Sequence, residues 1–210
     1  MAALRCLTAE EESASALFYA LKRRRYPRAT ELDNRSHFQK LAVSPFLRAF
    51  GRLAANAPKA SLALVAPEPP RRPHLDVIFQ DPATAEEFHF APPLHFSASL
   101  TGTTRSLPTA ATILIAKAYR VSSLPDLFRV LRRRTKQRTQ FLYACKQGTY
   151  SVAPLSEAQL AHSQRGVLRD LKLVFLIDPI ATIQSLPVQV LDAFFEVLAQ
   201  APRNLRREEA

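Results

Sequence analysis

The side chains best suited to chemistry in this sequence are cationic, and they fall in two groups. Lys22, Arg23, Arg24, Arg25 and Arg28 follow one another with no acid between them. Arg129, Arg132, Arg133, Arg134, Lys136 and Arg138 form the second group, and across residues 120–150 the only acid is Asp126. The chain carries a net charge of +11, of which these segments supply +5 and +7, so the remainder sums to −1. Guanidinium forks suit bidentate contact with phosphate oxygens. A helix that docks by an apolar side and turns cations outward is a polyanion-binding face. Phe141 and Tyr143 follow the second group, and Tyr143 is expected to stack on a base. Tyr26 lies within the first group. Part of that group also suits the negative end of a helix dipole.

Other chemistry finds little support. The histidines are His37, His74, His89, His95 and His162, with no H-x-H or HExxH spacing, so no metal site is expected. There is no GxSxG, and neither cysteine has a histidine close in sequence. Asp76 with Asp81, and Glu86 with Glu87, are explained by strand edges and turns. Thr101-Gly102-Thr103-Thr104-Arg105 resembles an anion nest but lacks the P-loop pattern. No catalytic residue and no cofactor is expected.

The composition narrows the setting. The chain has 210 residues, only 4 glycines and 16 prolines. Turns must be built from Pro, Ser, Asp and Asn, and loops needing positive φ are expected to be few. Cys6 and Cys145 lie far apart without a CxxC, which points to a reducing intracellular compartment rather than a disulfide framework. Glu10, Glu11 and Glu12 argue against a secretory or long transit segment. No apolar run reaches the ~18 residues a membrane span needs.

These side chains must be positioned by an α+β fold, expected as a single domain over 1–210. Its parts are an N-terminal helical part (1–57), an antiparallel β-meander (58–104), a helical part with a hairpin (105–202) and a charged tail (203–210). Thr8 with Glu11 reads as a capping box, opening a helix that runs to about Arg24 with Leu17, Phe18 and Leu21 as its buried stripe. A second helical region covers about 30–55, broken at Ser44-Pro45. Alternating residues predict strands at Ser61–Ala66, His74–Gln80, Glu86–Phe90 and Leu94–Leu100, with one covered face. Ser-Leu-Pro at 106, 123 and 185 predicts helix starts with serine as N-cap, giving helices near 107–121, 124–138 and 186–200. A further helix spans Ser156–Ile177 with Leu160, Val167, Leu168 and Leu171 facing the core. Gln140–Cys145 and Thr149–Ala153 form a small hairpin.

The function expected on this reading is a non-enzymatic basic subunit of a large ribonucleoprotein, a mitochondrial ribosome in particular, contacting rRNA phosphate and neighbouring protein subunits. One alternative is a supernumerary subunit of a mitochondrial ATP synthase or respiratory complex, meeting acidic subunits or anionic lipid headgroups. Another is a small nucleic-acid-processing enzyme or a defence-system protein. The expected compartment is the mitochondrial matrix, or else the cytoplasm.

Overall fold

A computed structural model describes residues 2–54, 59–65, 74–80, 84–94, 124–142 and 156–200. These form an α+β fold. The helices are α1 (Ala2–Arg23), α2 (His37–Ala54), α3 (Leu124–Leu142), α4 (Glu157–Ile177) and α5 (Ser185–Ala199), with a 3-10 turn at Ala29–Glu31. The strands β1 (Lys59–Val65), β2 (His74–Gln80) and β3 (Glu87–Phe90) make one antiparallel sheet in the order β1-β2-β3. The expected helix at 107–121 lies outside the described residues.

The main core lies between the helices. Leu17, Phe18 and Leu21 are buried as their spacing predicts, and they meet Phe38, Phe46, Phe128, Leu131, Phe194 and Leu198. Ring packing fixes neighbours: Phe38 lies 5.9 Å from Phe128, and Phe46 meets Phe194 edge-on at 5.2 Å. The helix α1 begins at Ala2, so Thr8 lies inside it and no capping box forms there. Ala2, Ala3 and Leu4 are good helix formers and extend the helix beyond the expected cap. Its C-terminal end is a Schellman closure: Tyr26 N–H donates to the Leu21 carbonyl (3.1 Å), and Arg25 N–H to that of Lys22 (3.0 Å). The left-handed position this requires is filled by Arg25 (φ 57°), and a second is filled by Arg28 (φ 62°). Ala85 (φ 59°) is the third non-glycine residue with positive φ among the described residues, so such positions are few.

Helices α2 and α4 also differ from their sequence reading. Helix α2 runs through Pro45 without the expected break. Pro45 is fully buried, and Arg169 Nη2 donates to the carbonyl (3.1 Å) and hydroxyl (2.9 Å) of Ser44 beside it. Helix α4 begins at the expected place, with Ser156 and Gln159 forming a reciprocal capping box. Its facing departs from the one expected at three of the four residues, with Val167 half-buried. Ser163, Gly166 and Asp170 are buried, while Leu160, Leu168 and Leu171 are exposed. Small residues win the inner side because the helices approach closely: a Cβ on Gly166 would come 3.0 Å from Ser44 Oγ.

At the other boundaries, Ser185 is the first helical residue of α5, not its N-cap. Gln184 occupies the cap with extended backbone, and its buried amide is used elsewhere: Oε1 accepts from Leu94 N–H and Nε2 donates to the Leu176 carbonyl, both at 2.8 Å. Leu94 is consequently not in a strand, and residues 95–100 lie outside the described part. Gln140–Leu142 complete α3, and the rest of the hairpin expected at 140–153 lies outside it too.

The meander is covered on both faces at its centre, not on one. Leu75, Asp76, Val77 and Ile78 of β2 are all buried. Leu75 and Val77 pack with Leu94 and Leu176, beside Leu173 and Leu186, which joins the sheet to the end of α4. By contrast β3 is exposed along its length.

Candidate nucleic-acid interface

Helix α3 sorts its side chains by face. Pro125 and Asp126 occupy its first turn, where a missing N–H and a negative charge both suit the helix start. Phe128 and Leu131 are buried in the main core. Arg129, Arg133 and Lys136 are exposed. They stand at i, i+4 and i+7, one stripe about 10 Å long on the side away from Phe128 and Leu131. Arg129 Nη1 lies 2.8 Å from Asp126 Oδ1, an exposed pair that water screens. Arg132 is half-buried at the edge of the stripe. Arg138 belongs to the helix, but its side chain and Tyr143 lie outside the described part.

Arg134 points the other way. Its Nη2 donates to Glu10 Oε2 on α1 at 2.7 Å, and Ser163 of α4 donates its hydroxyl to Glu10 Oε1, also at 2.7 Å. Nearby, Ser13 Oγ donates to Asp170 Oδ2 (3.4 Å) and Arg169 Nη2 to Asp170 Oδ1 (3.1 Å). Burial pushes the Asp170 carboxyl above the usual aspartate range, even though Arg169 and Ser13 pull it down. Glu11 Oε2 lies 3.1 Å from His37 Nδ1 on α2. A polar seam thus joins α1, α2, α3 and α4, and sequence reasoning did not find it. The only signal was an acidic triplet, Glu10–Glu12, inside a helical period; the partners of Glu10, Arg134 and Ser163, lie more than a hundred residues away.

The first cationic group is largely engaged within the fold. Arg23 Nη1 and Arg24 Nε lie 3.6 and 3.7 Å from the Asp178 carboxylate at the end of α4. Arg28 binds Glu31 through Nε (2.7 Å) and Nη2 (3.0 Å), approaches Asp192 at 3.5 Å and lies 4.5 Å above the Phe195 ring. The hydrogen bond from Arg28 holds the Glu31 carboxyl below its ordinary range, and the same bond raises Arg28. Lys22 is half-buried. Arg25 is exposed and pairs with no carboxylate among the described residues. Tyr26 is buried, with its hydroxyl accepting from Gln184 N–H at 3.2 Å; burial raises its pKa, and it is not available for stacking.

The remaining candidate groups stay apart. His89 lies 3.7 Å from Asp76 and 3.8 Å from Glu87, and among the described residues no cluster of three His, Cys, Asp or Glu side chains is arranged to hold a metal. Thr101–Arg105, His95 and Asp81 lie outside the described part. No described helix is long and apolar enough to cross a membrane. Comparison with protein-family models, curated proteins and solved structures finds no match.

Proposed function

We propose that this protein is a non-enzymatic basic subunit of a large ribonucleoprotein and contacts RNA phosphate through the outer stripe of α3. The observation that carries this reading is the division of that helix, with Phe128 and Leu131 buried while Arg129, Arg133 and Lys136 stand exposed. Three cations on one face, about 6 and 4.5 Å apart along the axis, concentrate positive charge that a row of phosphates can meet. A mitochondrial ribosome is the assembly that the composition favours. In the first cluster Arg23, Arg24 and Arg28 serve contacts within the fold, and Arg25 is exposed.

The test is RNA binding by the full chain across a salt series. The triple variant Arg129→Gln/Arg133→Gln/Lys136→Gln is expected to lower affinity and flatten the log–log salt slope by about 2–3 units. An unchanged slope with the fold intact overturns the reading. Release of the native protein from its complex by RNase supports it. Retention in a membrane complex after RNase favours a supernumerary subunit of an ATP synthase or respiratory complex instead.

A further inference from the structure

The outer face of α4 carries what a helix ordinarily buries. Leu168 is 58% and Phe175 64% exposed, and Leu160 and Leu171 are exposed with them. Ala161 and Gln164 share that exposure. The spacing is that of a coiled-coil seam. Ala161, Leu168 and Phe175 recur every seven residues, and Gln164 and Leu171 fall between them. Meanwhile the side turned to α1 and α2 carries Ser163, Gly166 and Asp170. Further along, Leu173, Val174, Leu176 and Ile177 complete the inner side, so Leu168, Leu171 and Phe175 form a second apolar face, on the outside.

What borders the seam selects the partner. Arg165 and Lys172, also seven residues apart, are exposed along one flank, at the position that forms interhelical ion pairs in coiled coils. Neither pairs with a carboxylate among the described residues; Arg165 donates only to the Ala161 carbonyl, at 3.2 Å. A second copy of this chain is a poor occupant. Two antiparallel copies bring Arg165 and Lys172 against the same two cations, and two parallel copies set them against Leu160 and Val167. From the exposed seam and its uncompensated cationic flank, we infer that α4 docks an amphipathic helix of a partner protein whose apolar stripe is bordered by acidic residues. The mode is helix against helix, with the seam supplying affinity and the flank supplying choice of partner. This inference does not use the α3 stripe or any contact with RNA.

Two synthetic helical peptides of about three heptads test it. Both carry leucine along the seam, one with glutamate and the other with lysine at the flanking positions, and binding to the full chain is read by fluorescence anisotropy. The glutamate peptide is expected to bind about tenfold tighter than the lysine peptide. Arg165→Glu/Lys172→Glu is expected to reverse that order, and Leu168→Gln to abolish binding of both. Because these side chains are exposed, circular dichroism and Tm should stay as in the parent protein. Equal affinity for the two peptides, or binding that survives Leu168→Gln, overturns the inference. So does failure of the glutamate peptide to bind. A dimer dispersed by Leu168→Gln assigns the face to a second copy. Sedimentation with phosphatidylserine-containing vesicles that depends on Leu168, without peptide binding, assigns it to a lipid surface.

Discussion

Glu10 and Arg134, 124 positions apart in the chain, meet at 2.7 Å and fasten the first helix to the arginine-rich one. The contact decides how the arginines of α3 divide. Arg134 holds the helix in place, and its neighbours Arg129, Arg133 and Lys136 are left to the surface.

Arg134→Gln is therefore expected to act on stability. It leaves Glu10 with the Ser163 hydroxyl but without its cation, at a cost of about 2 kcal/mol, read as a lower urea midpoint. The salt slope of RNA binding should not change. A slope that flattens as much as in the outer-stripe variant contradicts this division of roles.

Asp170 sets a pH dependence of opposite sign to that of a salt-bridged surface carboxylate. Its pKa is raised in the fold, chiefly by burial. Between the ordinary aspartate value near 4 and its raised value, the folded protein keeps a proton that the unfolded chain has released. The contribution is full below the unfolded value and is lost as pH rises through the folded one. The urea midpoint of the parent protein should fall more steeply than that of Asp170→Asn as pH rises from about 4 towards neutrality. Parallel curves for the two proteins count against it.

Gln184 joins three parts of the fold through one side chain and its own amide. It bridges Leu94 N–H to the Leu176 carbonyl, while its backbone N–H meets the Tyr26 hydroxyl. Gln184→Ala leaves two buried backbone groups without partners and is expected to cost about 2–4 kcal/mol. Tyr26→Phe removes one acceptor and should cost about 1 kcal/mol. Equal losses for the two variants, measured by chemical denaturation, contradict the bridging role.

Much of the frame was legible because it depends on local period and local capping. The stripe Leu17, Phe18 and Leu21, the capped start of α4 at Ser156 and the strand His74–Gln80 all follow from residues near them in sequence. Pro45 was misleading because the helix runs on through it with the ring fully buried. The facing of α4 was misleading for a deeper reason. Periodicity locates an apolar stripe but does not say which protein buries it, and here close approach at Gly166 gave the inner side to small residues. Of the candidate interface, the clustering of charge was visible and its allocation was not. Asp178, Asp192 and Glu10, which engage Arg23, Arg24, Arg28 and Arg134, lie far from them in sequence.

The closure of α1 separates two arginines that look alike in the sequence. Arg28 holds a left-handed backbone and is repaid by Glu31, Asp192 and Phe195. Arg25 occupies the position of the Schellman closure that glycine ordinarily fills, with no such contacts among the described residues. A left-handed arginine costs about 1 kcal/mol relative to a residue without Cβ. At position 25, then, the fold itself gives no preference for arginine over glycine. Arg25→Gly is therefore expected to leave stability unchanged or to raise it by up to about 1 kcal/mol.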